Sequence, residues 1–248
     1  MLNNLSLHSY ITGNSFFHKL NPFIKTLSMI FFLILTILCN HLISHFFIFL
    51  FLCFLLNLSK IPFIYYKKSI SNLSLFFLFL FIFNLFFTSI SYNIVCLLRL
   101  IEIILYSKLI LFTTKISELN YGFTTLCYPL KWFKINPLFL SMSITLTIYF
   151  IPIVANKIND SIKSLKSRGI HFSKNIKQNI ILIEKLFLPI FTSSIEKANH
   201  IAEIMEMKGF SFENKRSNYI DYKMKQKDIL FLMSFIIFFF VILRGELL

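Results

Sequence analysis

Glycine, cysteine and charged residues are scarce in this chain of 248 residues, and each scarcity excludes a class of protein. With only five glycines, the sequence contains no GxxxxGKS/T phosphate-binding loop, so ATP binding of the usual kind is excluded. No HExxH or Ser/His/Asp arrangement is visible, so no enzyme chemistry is indicated. The four cysteines have no CxxC spacing, which is typical of thiols that pack in a core. Charged residues make up 15% of the chain, too few for a soluble domain of this length.

Hydrophobic residues, in contrast, make up 56% of the chain and occur in long runs. These runs predict an all-α integral membrane protein with about five transmembrane helices and a cytoplasmic coupling region of long amphipathic helices. The runs that we interpret as spans are Ile24–Cys39, Leu42–Asn57, Leu73–Ile90, Ile94–Phe112 and Ile229–Leu243.

A sixth apolar stretch, Leu138–Val154, is interrupted by serines, threonines and Pro152, and it continues into a polar amphipathic segment. We therefore expect it to be partly buried against protein. The predicted organisation has three regions: transmembrane helices 1 to 4 in residues 1–114, the coupling region in residues 115–227, and a last transmembrane helix in residues 228–248.

The net charge of +14 comes from 25 basic and 11 acidic residues. Lysines that flank membrane spans are what the positive-inside rule predicts, so this excess does not indicate nucleic-acid binding. Between Lys157 and Lys227 there are 14 basic and 7 acidic residues, a net of +7 and half of the excess. We therefore expect a multi-pass protein of the cell (inner) membrane whose N-terminus and coupling region are cytoplasmic.

Two amphipathic helical segments of the coupling region end in a basic residue followed by glycine. These are Ser167-Arg168-Gly169 and, 40 residues later, Lys208-Gly209. Glycine adopts the left-handed conformation that stops a helix, and a cation there faces the negative end of the helix dipole. Ordinary helix ends, or helices lying on the membrane surface, would also fit the pattern. A sharp stop with a projecting cation favours docking to another protein, and arginine suits it because its planar fork can bind bidentately.

Each helix also carries an apolar stripe at helical spacing. We expect Pro189 near the start of the second helix, as a kink or in its first turn. The stripes are Val154, Ile158, Ile162 and Leu165 in the first helix, and Phe191, Ile195, Ala198, Ala202 and Met205 in the second.

Several segments resemble, in order and spacing, one family: the transmembrane T component of energy-coupling factor (ECF) ABC-type transporters, the CbiQ/EcfT-like family. The likeness covers most of the chain. The segments are Ser15–Pro22 with Lys25, Arg99 to Thr113-Thr114, Glu118-Leu119, Pro129-Leu130-Lys131, Phe150-Ile151-Pro152, Ser167-Arg168-Gly169, and Met205–Phe210.

The resemblance implies a non-catalytic subunit of an importer for a vitamin or a transition-metal ion. Its expected partners are two ABC ATPase subunits, as a homo- or heterodimer, a substrate-binding S component that selects the cargo, and the lipid bilayer. It implies that this chain binds no cofactor, because ATP and Mg²⁺ belong to the ATPases. The residues implied in ATPase docking are Ser167, Arg168, Gly169, Glu206, Lys208 and Gly209.

The sequence departs from the family pattern at several polar positions. Lys208 stands where arginine is usual, so bidentate contacts at the second motif are expected to be weaker. Tyr149 replaces a frequent arginine, and Asn21 replaces an aspartate.

Charged residues also lie inside the predicted fourth span, where they are costly unless they have a partner or a function. Arg99 and Glu102 lie three residues apart, and we expect a structural intramembrane pair rather than an ion pathway. His41 and His45 have a spacing that could bind a metal, but no third ligand is near them in the sequence. The alternative to the coupling subunit is a self-contained secondary carrier with a regulatory cytoplasmic loop, which would need polar groups at the membrane midplane.

Overall fold

The computed structural model describes residues 10–133, 137–170, 176–211 and 222–247. These residues form α-helices and short 3₁₀ turns, and no strand occurs among them. The all-α fold class predicted from the sequence is therefore confirmed. The α-helices are α1 (Pro22–Leu38), α2 (Leu42–Ser59), α3 (Phe63–Ser71), α4 (Ser74–Leu85), α5 (Ile90–Thr113), α6 (Ile116–Leu126), α7 (Pro137–Ser167), α8 (Ile176–Met207) and α9 (Gln226–Leu247).

The helices group into two compact units. Helices α1 to α6 and α9 form one unit, here called the bundle, and α7 and α8 form the other, here called the coupling hairpin. Helix α6, which the sequence interpretation placed in the coupling region, packs on α1 and belongs to the bundle.

Local sequence explains how α1 begins. Pro22 occupies the first helical turn, where its missing N–H costs nothing, and the Asn21 side chain accepts a hydrogen bond from the Phe23 N–H at 3.0 Å. The start of α1 is thereby fixed at the residue where the apolar run begins.

Hydrogen bonds at both ends show that α1 and α9 run in the same direction. The Asn21 N–H donates to the Asp228 carboxylate at 2.9 Å, close to the start of both helices. At the opposite ends, the His41 N–H donates to Glu246 at 3.0 Å. Helix α5 runs the other way, because its last residue, Thr113, accepts a hydrogen bond from Lys25 in the first turn of α1.

The core of the bundle is aromatic and aliphatic. The rings of Phe32 and Tyr106 stack with their centroids 4.3 Å apart, which ties α1 to α5, and those of Phe51 and Phe238 stack at 4.1 Å, which ties α2 to α9. Phe51 and Phe238 are partly buried and pack against the core. Its fully buried members are Phe32, Tyr106 and others, which include Ile24, Leu35, Ile48, Leu52, Leu109 and Phe235.

One glycine allows α6 to approach α1 closely. A Cβ atom added at Gly122 would lie 2.8 Å from the Pro22 carbonyl oxygen and 2.7 Å from a Thr26 methyl carbon. Since the first of these neighbours is backbone, it cannot move aside without shifting α1. Glycine is therefore required at this contact.

Within the described residues, three helices are long and apolar enough to cross a membrane by length and composition: Leu42–Ser59, Phe139–Ser167 and Gln226–Glu246. The first and last contain the predicted spans Leu42–Asn57 and Ile229–Leu243. Helix α1 is apolar but has 17 residues, and α5 has 24 residues but carries Arg99, Glu102 and Lys108.

The predicted span Leu73–Ile90 differs most from the structure. Helix α4 ends at Leu85, and Ile90 already belongs to α5. Helices α3 and α4 together form a candidate span bent by 51° at a break between Ser71 and Ser74. The break falls on Asn72, whose side chain competes with helical hydrogen bonding and lowers helix propensity.

The coupling hairpin consists of two long helices of 31 and 32 residues. Pro152 lies inside α7, so the stretch Leu138–Val154 does continue into the amphipathic segment as one helix. The expectation that Pro189 lies near the start of its helix is wrong, because α8 begins at Ile176 and this proline lies in its interior.

Candidate docking site

Helix α7 ends in a Schellman motif built on Gly169. The Gly169 N–H donates to the Lys166 carbonyl at 3.0 Å, and the Ile170 N–H donates to the Leu165 carbonyl at 3.0 Å. Gly169 has a φ of +78°, which a side chain would disfavour. The helix therefore stops sharply after Arg168, as its glycine predicts.

Helix α8 ends in the same way. The Gly209 N–H donates to the Glu206 carbonyl at 2.8 Å, the Phe210 N–H donates to the Met205 carbonyl at 2.9 Å, and Gly209 has a φ of +71°. The two helix ends thus share one backbone geometry, and each places a cation at the last position before its glycine.

The side chains at these ends point into open space. Arg168 and Lys208 are both exposed, and neither forms a salt bridge within the described parts of the chain. Glu206 is exposed as well, whereas the Ser167 hydroxyl donates to the Lys163 carbonyl of its own helix at 3.2 Å. An added Cβ at either glycine would meet no atom of the described residues within 4 Å, so the described part of the chain leaves both ends open.

An apolar groove lies between the two helices of the coupling hairpin. It has a volume of about 460 Å³. Three members of the predicted α7 stripe line it, together with α8 residues that lie earlier than most of the predicted α8 stripe. The lining residues are Val154, Ile158, Ile162, Ile183, Leu186, Phe187, Ile190, Phe191 and Ser194.

The expected ion pair between Arg99 and Glu102 is wrong. The Arg99 guanidinium donates to the Cys39 carbonyl at 2.7 Å and to the Asn40 side chain at 3.2 Å, and it forms no salt bridge with Glu102. The pair was expected because the two residues lie three positions apart on one helix. The Arg99 side chain instead extends to Cys39 and Asn40, in the turn that follows α1.

Glu102 instead pairs with His45 of α2, and both side chains are fully buried. The His45 Nδ1 atom lies 2.9 Å from the Glu102 Oε2 atom. The other ring nitrogen lies 3.2 Å from the Cys39 carbonyl, which can only accept, so that nitrogen carries a hydrogen. Both nitrogens of His45 are therefore engaged, which leaves the residue no free position for a metal. In the described residues, no group of three His, Cys, Asp or Glu side chains is placed to hold a metal ion.

The N-terminal segment that carries the family resemblance forms long-range contacts. The buried Lys25 ammonium donates to the Thr113 carbonyl and to the Thr114 hydroxyl, each at 3.2 Å. Two matched segments, distant in sequence, thus meet in the fold. Asp228, which accepts a hydrogen bond from the Asn21 N–H, was not predicted from the sequence. Its one sequence signal was its position at the start of the last apolar run.

The sequence also matches a known family over most of its length. The family described as CbiQ, cobalt transport protein, matches residues 13–219, which include both glycine-stopped helix ends. This chain belongs to the CbiQ family. The resemblance seen in the sequence motifs is thereby confirmed at the level of the family.

Relatives of this CbiQ-family chain share its full length. The energy-coupling factor transporter transmembrane protein EcfT of Staphylococcus aureus (strain 04-02981) is 28% identical over 254 aligned residues, which cover 95% of each chain. The proteins of the same name from Streptococcus equi subsp. equi (strain 4047) and Bacillus subtilis (strain 168) are 26% and 24% identical. These alignments cover 95% and 96% of this chain, and 94% and 96% of the two relatives.

Proposed function

We propose that this chain is the energy-coupling transmembrane subunit of an ECF-type ABC importer. In this role it links two cytoplasmic ATPases to a substrate-binding S component, for uptake of a vitamin or a transition-metal ion. Membership of the CbiQ family and the names of the EcfT relatives support the class. The subunit is not itself an enzyme, since ATP and Mg²⁺ are bound by the ATPases.

The observation that carries the proposal is that the two helix ends have the same backbone geometry. Each is a Schellman stop with a positive-φ glycine and an exposed cation that the described chain leaves unpaired. Two similar cationic ends suit two similar partners, one end for each ATPase. Arg168 can bind a carboxylate or carbonyl groups bidentately, whereas Lys208 contributes charge without the fork.

The apolar groove supports an adaptor role for the coupling hairpin. Among the described side chains of α7 and α8, Leu186 is the only hydrophobic one that is buried. Exposed apolar surface of this extent is typical of an interaction site. We assign part of this surface to the S component, and we place the N-terminus and the coupling hairpin on the cytoplasmic side.

The test is co-purification of the complex with variants of Arg168. Arg168→Ala is expected to weaken association with the ATPase pair, and Arg168→Glu to abolish it or to uncouple ATP hydrolysis from uptake, while membrane insertion remains normal. Lys163→Glu is the matched control, because Lys163 is also an exposed cation, five residues earlier, and its partner is Asp160 at 3.6 Å. Survival of assembly and transport in both Arg168 variants would refute the docking role.

The alternative, a self-contained secondary carrier, has one observation in its favour. Glu102 and His45 form a buried, hydrogen-bonded pair inside the bundle, and buried ionisable groups in membranes often belong to transport pathways. Glu102→Gln separates the two functions, since glutamine can keep a hydrogen bond to His45 but cannot exchange a proton. A coupling subunit with this change retains ATP-dependent uptake, whereas a proton-driven carrier loses its uptake.

A further inference from the structure

A basic pocket lies where α1 and α9 begin, at the end of the bundle that carries Lys25. It has a volume of about 610 Å³. Three lysines, Lys19, Lys225 and Lys227, line it together with the polar side chains of Asn14 and Gln226. All three lysines are exposed, and none forms a salt bridge within the described residues.

The pocket contains one acidic residue, and each of its two carboxylate oxygens already accepts a hydrogen bond. Asp228 is buried, and its two carboxylate oxygens accept hydrogen bonds from the Asn21 N–H at 2.9 Å and the Lys225 N–H at 2.8 Å. Three lysine cations against one carboxylate leave an excess of positive charge directed into an open cavity. Such a cavity fits a ligand that is anionic and rich in hydrogen-bond acceptors.

The position of the pocket along α9 indicates where that ligand comes from. An apolar stripe of exposed residues starts directly after Asp228, with Ile229 and Leu230, and continues along α9 to Ile237. Within a membrane bundle, an exposed stripe of this kind faces acyl chains. The basic pocket therefore lies at the boundary between hydrocarbon and headgroups, with the cations at headgroup level.

We propose that the basic pocket binds the phosphate-containing headgroup of an anionic phospholipid whose acyl chains lie along the exposed stripe of α9. The lysines neutralise the lipid phosphate, and Asn14 and Gln226 are placed to donate hydrogen bonds to the rest of the headgroup. The proposal does not depend on the energy-coupling role, because it rests on the bundle alone.

The experiment measures lipid retained by the purified full-length chain in native mass spectrometry, after titration with phosphatidylglycerol or with zwitterionic phosphatidylcholine. Lys225→Gln/Lys227→Gln is expected to reduce phosphatidylglycerol affinity by roughly 25-fold, about five-fold for each of the two lysines. Lys67→Gln/Lys68→Gln is the matched control, because it removes the same charge from exposed positions of α3 outside the pocket. This control is expected to retain phosphatidylglycerol like the unchanged protein.

Three results would overturn the proposal. Equal losses in the pocket variant and the α3 control would show a diffuse effect of net charge. Equal retention of phosphatidylcholine and phosphatidylglycerol by the unchanged protein would show that the headgroup charge is not recognised. Unchanged phosphatidylglycerol affinity in the pocket variant would show that Lys225 and Lys227 do not bind the headgroup.

Discussion

The bundle and the coupling hairpin differ in where their charged side chains find partners. In the bundle, Lys25, His45, Glu102 and Asp228 are buried, and each has a hydrogen-bonding partner on another element. In the coupling hairpin, ion pairs are exposed and local, such as His200 with Glu203 at 3.9 Å. Most of the buried charged groups of the bundle thus find partners inside it, although the Glu102 Oε1 and Arg99 Nε atoms have none among the described residues. The hairpin instead leaves its cations and its groove for other molecules.

This difference separates what substitutions should do in each region. Removing a buried partner in the bundle leaves an unsatisfied group in a low-dielectric interior and costs folding stability. Changing a helix end of the hairpin leaves nothing unsatisfied inside the chain, so its effect should appear only when partners are present. Substitutions of buried groups in the bundle are therefore expected to lower stability, and substitutions at the helix ends of the hairpin to weaken assembly.

The largest expected effect is on the buried pair. Glu102→Ala removes the partner of His45 in the bundle, and breaking a buried pair of this kind costs about 3–5 kcal/mol. The melting temperature of the detergent-purified chain is expected to fall strongly. Glu203→Ala is the control, since it breaks an exposed pair in the hairpin and should leave the melting temperature nearly unchanged. Equal shifts in both variants would remove the distinction between the two regions.

The next effect is steric and local to α1 and α6. Gly122→Ala places a Cβ atom against the Pro22 carbonyl, and overpacking of this kind costs roughly 1–3 kcal/mol. Gly245→Ala provides the comparison, because a Cβ there would meet no atom within 4 Å. Thermal melts of both variants test the prediction, and an unshifted melt for Gly122→Ala would mean that α6 does not pack on α1 as described.

A smaller effect is expected at the glycine stops. Gly169→Ala and Gly209→Ala force a side chain into the left-handed region, which costs about 1–2 kcal/mol for each residue. Because the described residues leave the surroundings of both glycines open, this strain should relax by local fraying of the last turn, which displaces the adjacent cation. We expect reduced ATPase co-purification with an unchanged bundle melt. Normal assembly in both variants would show that the sharp stop is unnecessary.

The smallest expected effect is at the second cation. Lys208→Arg restores the residue usual in the family and adds a planar fork at an exposed position. Assembly with the ATPases should be unchanged or tighter, as measured by the dissociation rate of the complex. A clear loss would indicate that the partner surface at this end has a geometry specific to lysine.

The sequence predicted those features that depend on neighbouring residues. The stops at Gly169 and Gly209 follow from a glycine after a helical repeat, and the structure places both glycines at positive φ. The pairing of His45 with Glu102 was missed because the two residues lie 57 positions apart, so only the packing of α2 on α5 brings them together.

The bond between Asn21 and Asp228 was missed for the same reason, since 207 positions separate them. The pairing of α3 with α4 was missed for a different reason. Hydropathy reports how apolar a segment is and does not report the course of its axis, so the predicted span Leu73–Ile90 left out α3 and ran past the end of α4 at Leu85.

The central claim is that each helix end of the coupling hairpin docks on its own ATPase. The most direct test is photo-crosslinking in the assembled complex, with the photoreactive residue p-benzoylphenylalanine introduced in turn at Ser167, Met207 and, as a control, Ile82 of the bundle. All three positions are exposed, and the first two lie directly before the cations. The account predicts that Ser167 and Met207 each crosslink to an ATPase subunit, to different subunits if the pair is heterodimeric, and that Ile82 does not. Crosslinks from Ser167 and Met207 only to lipid, or none to an ATPase, would contradict it.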